Sequence, residues 1–283
     1  MEKNPREIAL DILLDIEKNK IFSNTALNTG LRSNQFMSKQ ERAFITRLVE
    51  GVVETRIRLD YIINSFSNTK VNKCKPLIRC ILRMGTYQIF YMENVPDEAA
   101  CNECVKLAEK RGFRNLKGFV NGVLRNISRN KDNIKYPDKA NEHRKYISVM
   151  YSVPEEVIDI LEEDYSPEDV ESIVGAAFAD RSTTIRVNRD RISVDEFKKE
   201  LESNGISVRR GNYTDNTLLI DDYDYIRKVP GFHQGYFNVT DESSVMAVDC
   251  AGINKGDLVL DMCAAPGGKT MYCLLYTSPS PRD

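Results

Sequence analysis

The sequence predicts a multidomain chain: an all-α helical bundle over residues 1–130, a small α+β subdomain over 181–240, and the first strand and loop of a doubly wound α/β domain over 241–272. Three observations predict it. Apolar residues recur at helical spacing through the first 130 residues. Short runs rich in β-branched residues surround one capped helix after residue 181. Then "DLVLDM" (257–262), a continuous apolar run, leads into small residues and a Gly-Gly pair, "CAAPGGKT". Runs of this kind are typical of strands buried in parallel sheets.

The helical part is justified element by element. Ile8, Ile12 and Ile16 stand at i, i+4 and i+8, with Leu13 beside them. Ser38 and Glu41 form a Ser-x-x-Glu capping box that opens one long periodic run through Phe44, Ile45, Leu48, Val52, Ile57, Leu59, Ile62 and Ile63. Pro76 marks the next start, with Leu77, Ile81, Leu82 and Ile89 on its apolar face. Asp97 is the expected N-cap of a further helix and Gly112 its stop. "LKGFVNGVLRNISRN" (116–130) is the last helix of the bundle. Residues 131–180 read as a polar linker up to 142, followed by helices whose starts are expected at Ser152 and Ser166, each with a Ser-x-x-acid signature. In the α+β part, "TTIRVN" reads as a strand, "SVDEFKKELESNG" as a capped helix, and "ISVRRG", "TLLID" and "GYFNVT" as strands. "DESSVMAVDCAG" is a short helix.

Charge divides the chain. Residues 1–130 hold 22 Lys and Arg against 14 Asp and Glu, whereas 131–283 hold 18 against 28. A basic first half favours a polyanion partner, because Lys and Arg displace counterions from phosphates. Candidate RNA contacts are Lys117, Arg125 and Arg129 in the bundle and Arg186, Arg209 and Arg210 in the small sheet. The seven cysteines lack disulfide-like spacing, the start "MEKNPREIALDILLDIEKN" does not read as a secretory leader, and no apolar run of membrane-spanning length occurs. The expectation is a reduced, cytoplasmic protein, a monomer with no membrane association. Cys101-x-x-Cys104 with Cys74 and Cys80 is too weak a pattern for zinc, since helical free cysteines pack well in cores. No metal is expected, and His143 and His233 read as structural.

The glycine loop admits three chemistries. A Walker phosphate loop requires glycine five residues before Gly268, where Cys263 stands. A dinucleotide fingerprint requires separated glycines, but Gly267 and Gly268 are adjacent. The third is a loop that presents helix N-terminal amides to S-adenosyl-L-methionine (AdoMet). "DMCAAPGGKT" (261–270) resembles the first AdoMet motif of the RNA (cytosine-C5)-methyltransferases. "GYFNVTDESS" (235–244) resembles the segment just upstream of it, with Thr240 where Gln is usual. "TIRVN" and the helix after it resemble their small RRM/ferredoxin-like RNA-binding subdomain, and residues 1–130 resemble a NusB-like RNA-binding domain. On this combination the chain is identified as a member of the RsmB/Sun family of bacterial rRNA (cytosine-C5)-methyltransferases, a resemblance that covers nearly all of it up to Tyr272.

The resemblance implies a Rossmann-type class I domain, AdoMet as cofactor and a cytosine of 16S small-subunit rRNA as substrate. It makes Asp261, at the strand end, a cofactor-site residue and places Cys263, Ala264, Ala265, Pro266, Gly267, Gly268 and Lys269 along the methionine end of AdoMet. Family chemistry is covalent: a cysteine thiolate adds to cytosine carbon 6, and carbon 5 then takes the methyl group. The nucleophile and an assisting Pro-Cys motif belong to later motifs, so Cys263 is a cofactor-loop residue and no catalytic residue is assigned. The tail "CLLYTSPSPRD" (273–283) reads as the translation of a transposase-type sequencing adapter. The expectation is therefore a chain whose natural sequence is cut just after the first motif, one that binds RNA without transferring methyl groups. Two alternatives stand beside it: a non-catalytic NusB-like RNA-binding or antitermination module, and a cytosine-C5 methyltransferase acting on transfer RNA.

Overall fold

The computed structural model describes residues 4–34, 36–176, 182–223 and 225–277. It divides into two compact units, Met1–Ala179 and Asp180–Asp283.

The first unit is helical. It contains α1 (Pro5–Asn19), α2 (Ser23–Arg32), α3 (Lys39–Glu54), α4 (Arg56–Phe66), α5 (Pro76–Tyr91), α6 (Asp97–Lys110) and α7 (Lys117–Arg129), then α8 (His143–Tyr151), α9 (Glu155–Glu162) and α10 (Pro167–Ala176). Helix α5 forms the axis: every residue from 80 to 89 is buried, and α1, α3, α4, α6 and α7 pack around it. A helix buried on all sides is stable only inside such a shell, and its polar members Arg83 and Gln88 are hydrogen-bonded there. Gly51 of α3 is needed here, because a β-carbon would stand 2.0 Å from the Tyr87 ring of α5. Helices α8 to α10 enclose a small core of their own, Ile147, Ile158, Val170 and Val174.

Several local expectations change. The long run after Ser38 breaks at Thr55 into α3 and α4. Asp97 is the first helical residue of α6 rather than its cap, which is Pro96. Its carboxylate instead accepts a hydrogen bond from the Ser128 hydroxyl at 2.9 Å. Ser152 does not open a helix. It ends α8 in the left-handed conformation, φ 50°, and its hydroxyl accepts from the Arg58 N–H at 3.0 Å. Pro154, two residues on, caps α9 instead. Ser166 behaves as expected, accepting from the Asp169 N–H at 3.2 Å.

The second unit carries β1 (Thr183–Val187), α11 (Val194–Ser203), β2 (Ser207–Arg210), β3 (Thr217–Asp221), β4 (Phe237–Val239), α12 (Glu242–Cys250) and α13 (Gly268–Thr277). The strands form one antiparallel sheet in the order β2-β3-β1-β4. Alternation assigns its two faces. Ile185, Val187, Leu218 and Ile220 share a core with Phe197 and Leu201 of α11. The opposite face of β1 carries Arg186, which meets Tyr272 of α13.

The strand expected at 257–262 is absent: these residues form no ladder. Leu258, Leu260 and Met262 are exposed. An apolar strand is held by neighbours on both edges and both faces, and none lies beside this segment among the described residues.

Candidate cofactor loop and nucleic-acid interface

The glycine loop is built as a strand-less approach to a helix. Helix α13 begins at Gly268, so its first N–H groups point back toward the loop, where a helix leaves unsatisfied donors. Gly267 sits at φ +108°, a conformation that favours glycine, and a β-carbon there would meet nothing within 4 Å. Asp261 staples the loop: its carboxylate accepts from the Thr270 hydroxyl at 2.6 Å and the Cys263 N–H at 3.0 Å. The Thr270 hydroxyl, aided by the Cys263 N–H and Lys269, holds the Asp261 carboxyl below its ordinary value. Residues 263–266 are exposed.

This arrangement fits the methionine end of AdoMet on two counts. The loop backbone is open to solvent beside Gly267. The buried Thr240 hydroxyl also has no hydrogen-bond partner, and it stands 3.6 Å from the position a Gly268 β-carbon would take. Asp261 is turned onto its own loop, so its part is to shape the turn.

Two short helices tie this loop to the sheet. Tyr272 of α13 donates its hydroxyl to Asp249 of α12 at 2.6 Å and accepts from the Asn216 amide at 2.8 Å. The Arg186 guanidinium lies over its ring, 4.2 Å from the centre. Glu242, the first residue of α12, enters the turn between β2 and β3. Its carboxylate accepts from the N–H groups of Asn212 (3.0 Å), Tyr213 (2.9 Å) and Thr214 (3.2 Å), and from the Thr217 hydroxyl (2.9 Å). Gly211 has to be glycine here: a β-carbon would stand 2.0 Å from the Thr217 hydroxyl and 2.3 Å from the Glu242 carboxylate.

The expected RNA contacts separate into groups. Lys117, Arg125 and Arg129 lie at four- and eight-residue spacing along α7, whose other face buries Val120, Val123, Leu124 and Ile127. Arg125 and Arg129 are exposed, and Lys117 is 3.9 Å from Glu109. Arg209 and Arg210 lie on the edge strand β2 and point to opposite faces: Arg209 donates to Ser182 at 2.6 Å and Arg210 pairs with Asp195 at 2.5 Å. Arg186 is a correction. It is 1% exposed and packs against Tyr272, because α12 and α13 cover that face of β1. Glu242, Tyr272, Asn216 and Asp249 escaped the sequence reading. Glu242 lay inside the quoted segment 235–244, but no spacing rule links it to residues 212–217. Among the described residues no group of three or more His, Cys, Asp or Glu is arranged to hold a metal ion.

Comparison with known proteins matches both units. Residues 3–129 match the NusB family, and residues 153–224 match the "Methyltr_RsmF/B-like, ferredoxin-like domain" family. A NusB-type helical domain followed by a methyltransferase-associated ferredoxin-like domain is the class of protein these matches define. The chain carries a NusB-like domain and an RsmF/B-type ferredoxin-like domain, and it is similar to proteins named ribosomal RNA small subunit methyltransferase B: it is 33% identical over 267 residues to the "Probable ribosomal RNA small subunit methyltransferase B" of Bacillus subtilis (strain 168), covering 94% of this chain and 59% of that protein. It is 30% identical over 241 residues to the "Ribosomal RNA small subunit methyltransferase B" of Escherichia coli O1:K1 / APEC, covering 85% of this chain and 54% of that protein. It thus spans little more than half the length of these relatives. In structure it is similar to PH0851, with a TM-score of 0.68 and 19% identity, over 97% of this chain and 61% of that one. That likeness speaks for the fold.

Proposed function

We propose that the protein serves AdoMet-dependent methylation of carbon 5 of a cytosine in 16S small-subunit rRNA. Residues 1–130 and 181–240 hold the RNA, and residues 241–272 open the class I, AdoMet-binding domain, with 131–180 joining the two parts. The observation that carries this reading is the order of the parts: two family domains, then a glycine loop feeding the N-terminus of α13. The second match also weighs against a bare antitermination module, which has no use for a ferredoxin-like domain. When bound, AdoMet supplies a methyl group on a sulfonium. Residues 263–269 would contact its methionine end, Asp261 would hold the turn, and Thr240 would offer its hydroxyl.

The chain by itself is proposed to bind RNA without methyl transfer. Covalent attack requires a thiolate, and thiolates form beside cations or helix N-termini. Burial pushes the thiols of Cys80 and Cys104 up to about 12, and it also raises those of Cys74 and Cys101. Cys263 belongs to the cofactor loop. The test is fluorescence anisotropy of the chain with small-subunit rRNA fragments and with transfer RNA, beside incorporation of labelled methyl from AdoMet. Tighter binding to the rRNA with no incorporation is expected. Binding to transfer RNA alone would overturn the choice of substrate, and methyl incorporation would overturn the inactivity.

A further inference from the structure

The helical unit holds a second feature, apart from the glycine loop. A cleft of about 350 Å³ opens between the C-terminal half of α1, the α3–α4 junction and the first half of α5. Its walls carry five cations, Lys18, Lys20, Arg56, Arg79 and Arg83, and one carboxylate, Glu17. Two of the cations are committed. Arg83 grips Asp60 through two hydrogen bonds of 2.7 Å and Glu17 through one of 2.6 Å. Arg79 pairs with Glu17 at 2.8 Å.

The other three differ. Lys18, Lys20 and Arg56 are exposed, and none makes an ion pair or side-chain hydrogen bond to the described residues. Other cations of the bundle pair with carboxylates: Lys110 with Glu7, Arg114 and Lys117 with Glu109, Lys131 with Asp97. The one carboxylate of the wall, Glu17, is taken up by Arg79 and Arg83; like charges left unpaired around one cavity repel, and a bound anion relieves that repulsion. Helix α5 adds to the field. Pro76, Arg79, Cys80 and Arg83 put its N-terminal turns against the cleft, and Lys75 gives that terminus no side-chain cap. The rest of the wall is apolar, with Leu13, Ile16 and Val53.

We propose that this cleft binds a phosphate ester of nucleotide size, its phosphate among Lys18, Lys20 and Arg56 and its sugar and base along the apolar wall. The volume lies within the range of small-ligand sites. Nothing in the proposal depends on methyl transfer. The phosphate can come from a free nucleotide or from the backbone of a bound RNA.

The full chain is titrated by calorimetry with cytidine 5′-monophosphate, with cytidine, and with a short single-stranded RNA. The expected result is saturable binding of the monophosphate but not of the nucleoside, weakening as salt rises. The variant Lys20→Glu/Arg56→Glu is expected to bind at least about tenfold more weakly; both side chains are exposed, and its melting curve should overlay that of the parent. Competition by the RNA assigns the phosphate to RNA backbone, and additive binding assigns it to a free nucleotide. Absence of monophosphate binding at millimolar concentration overturns the proposal, as does equal binding by cytidine or by the folded variant. Loss of rRNA methylation in a longer enzyme would bear on the methylation reading and leave this one standing.

Discussion

Arg186 of β1 lies over the ring of Tyr272 of α13, its guanidinium carbon 4.2 Å from the ring centre. The pair joins the sheet to the helix that begins at the glycine loop. The Tyr272 hydroxyl is fixed on both sides, by Asp249 and Asn216, and the ring packs with Val245 and Val248. Tyr272→Phe removes only the two hydrogen bonds, for a loss of about 1–2 kcal/mol. Tyr272→Ala also removes the ring and the cation–π contact, for about 3 kcal/mol or more. Urea unfolding of the second unit, followed by near-ultraviolet circular dichroism, should rank parent, Phe and Ala in that order. Equal stability of all three would mean that the junction does not hold.

Glu242 makes the second unit sensitive to acid. Burial pushes its carboxyl up, but the N–H groups of Tyr213, Asn212 and Thr214 and the Thr217 hydroxyl together pull it below its ordinary value of 4.5. A folded value below the unfolded one contributes stability that is present above the unfolded value and lost as pH falls through the folded one. From about pH 5 to about pH 3 the parent should therefore lose stability more steeply than Glu242→Gln, measured as thermal midpoints across that range. At neutral pH the same substitution should cost about 2 kcal/mol, because hydrogen bonds to a charge are lost.

Gly211→Ala tests the same turn from the other side. Its β-carbon would collide with the Thr217 hydroxyl and the Glu242 carboxylate, so the turn has to open. A loss of about 2 kcal/mol is expected, and Gly211→Ala with Glu242→Gln should be clearly less than additive, since both disrupt one network. Additive losses in a double-mutant cycle would place the two residues in separate interactions.

The cysteines should divide into two reactivity classes. Cys80 and Cys104 are buried thiols pushed up to about 12, whereas Cys250 and Cys263 are exposed. Iodoacetamide at about pH 8 should label the exposed pair in the native protein and the buried pair only after denaturation. Peptide mass spectrometry reads this directly, and native labelling of Cys104 at the rate of Cys263 would contradict the packing of α6 on α5.

The apolar run before the loop is expected to make no contribution to folding. Leu258 is 103% exposed and Leu260 84% exposed. Leu258→Lys with Leu260→Lys should leave unfolding free energy unchanged within about 0.5 kcal/mol. A larger loss in a urea titration would show that the segment is packed.

Much of this organisation was legible in the sequence. Helical period placed α1, α3, α5, α6 and α7, because each needs apolar residues on the side that reaches the core, and short runs rich in β-branched residues placed the four strands. Capping chemistry was reliable where the Ser side chain could reach its own helix, at Ser38, Ser166 and Ser193. It misled at Ser152, where the hydroxyl turns to Arg58, ninety-four residues away in sequence. Helices α2 and α8 were not read, because each buries only a short stretch of side chains.

By itself the sequence determined the order of the parts and the family resemblance, both properties of residues close together along the chain. Only the tertiary structure decided what Arg186 does. A strand's alternation says that residues 185 and 186 face opposite sides of the sheet, but not which side is covered. Helices α12 and α13 cover the Arg186 side, so an expected phosphate contact becomes a buried partner of Tyr272. The same holds for "DLVLDM": its composition reads as a core strand, yet burial is a property of neighbours, and without them the run stays irregular and exposed. The cleft of Lys18, Lys20 and Arg56 follows the same rule, since three cations spread over 39 positions converge only when α1, α4 and α5 pack together.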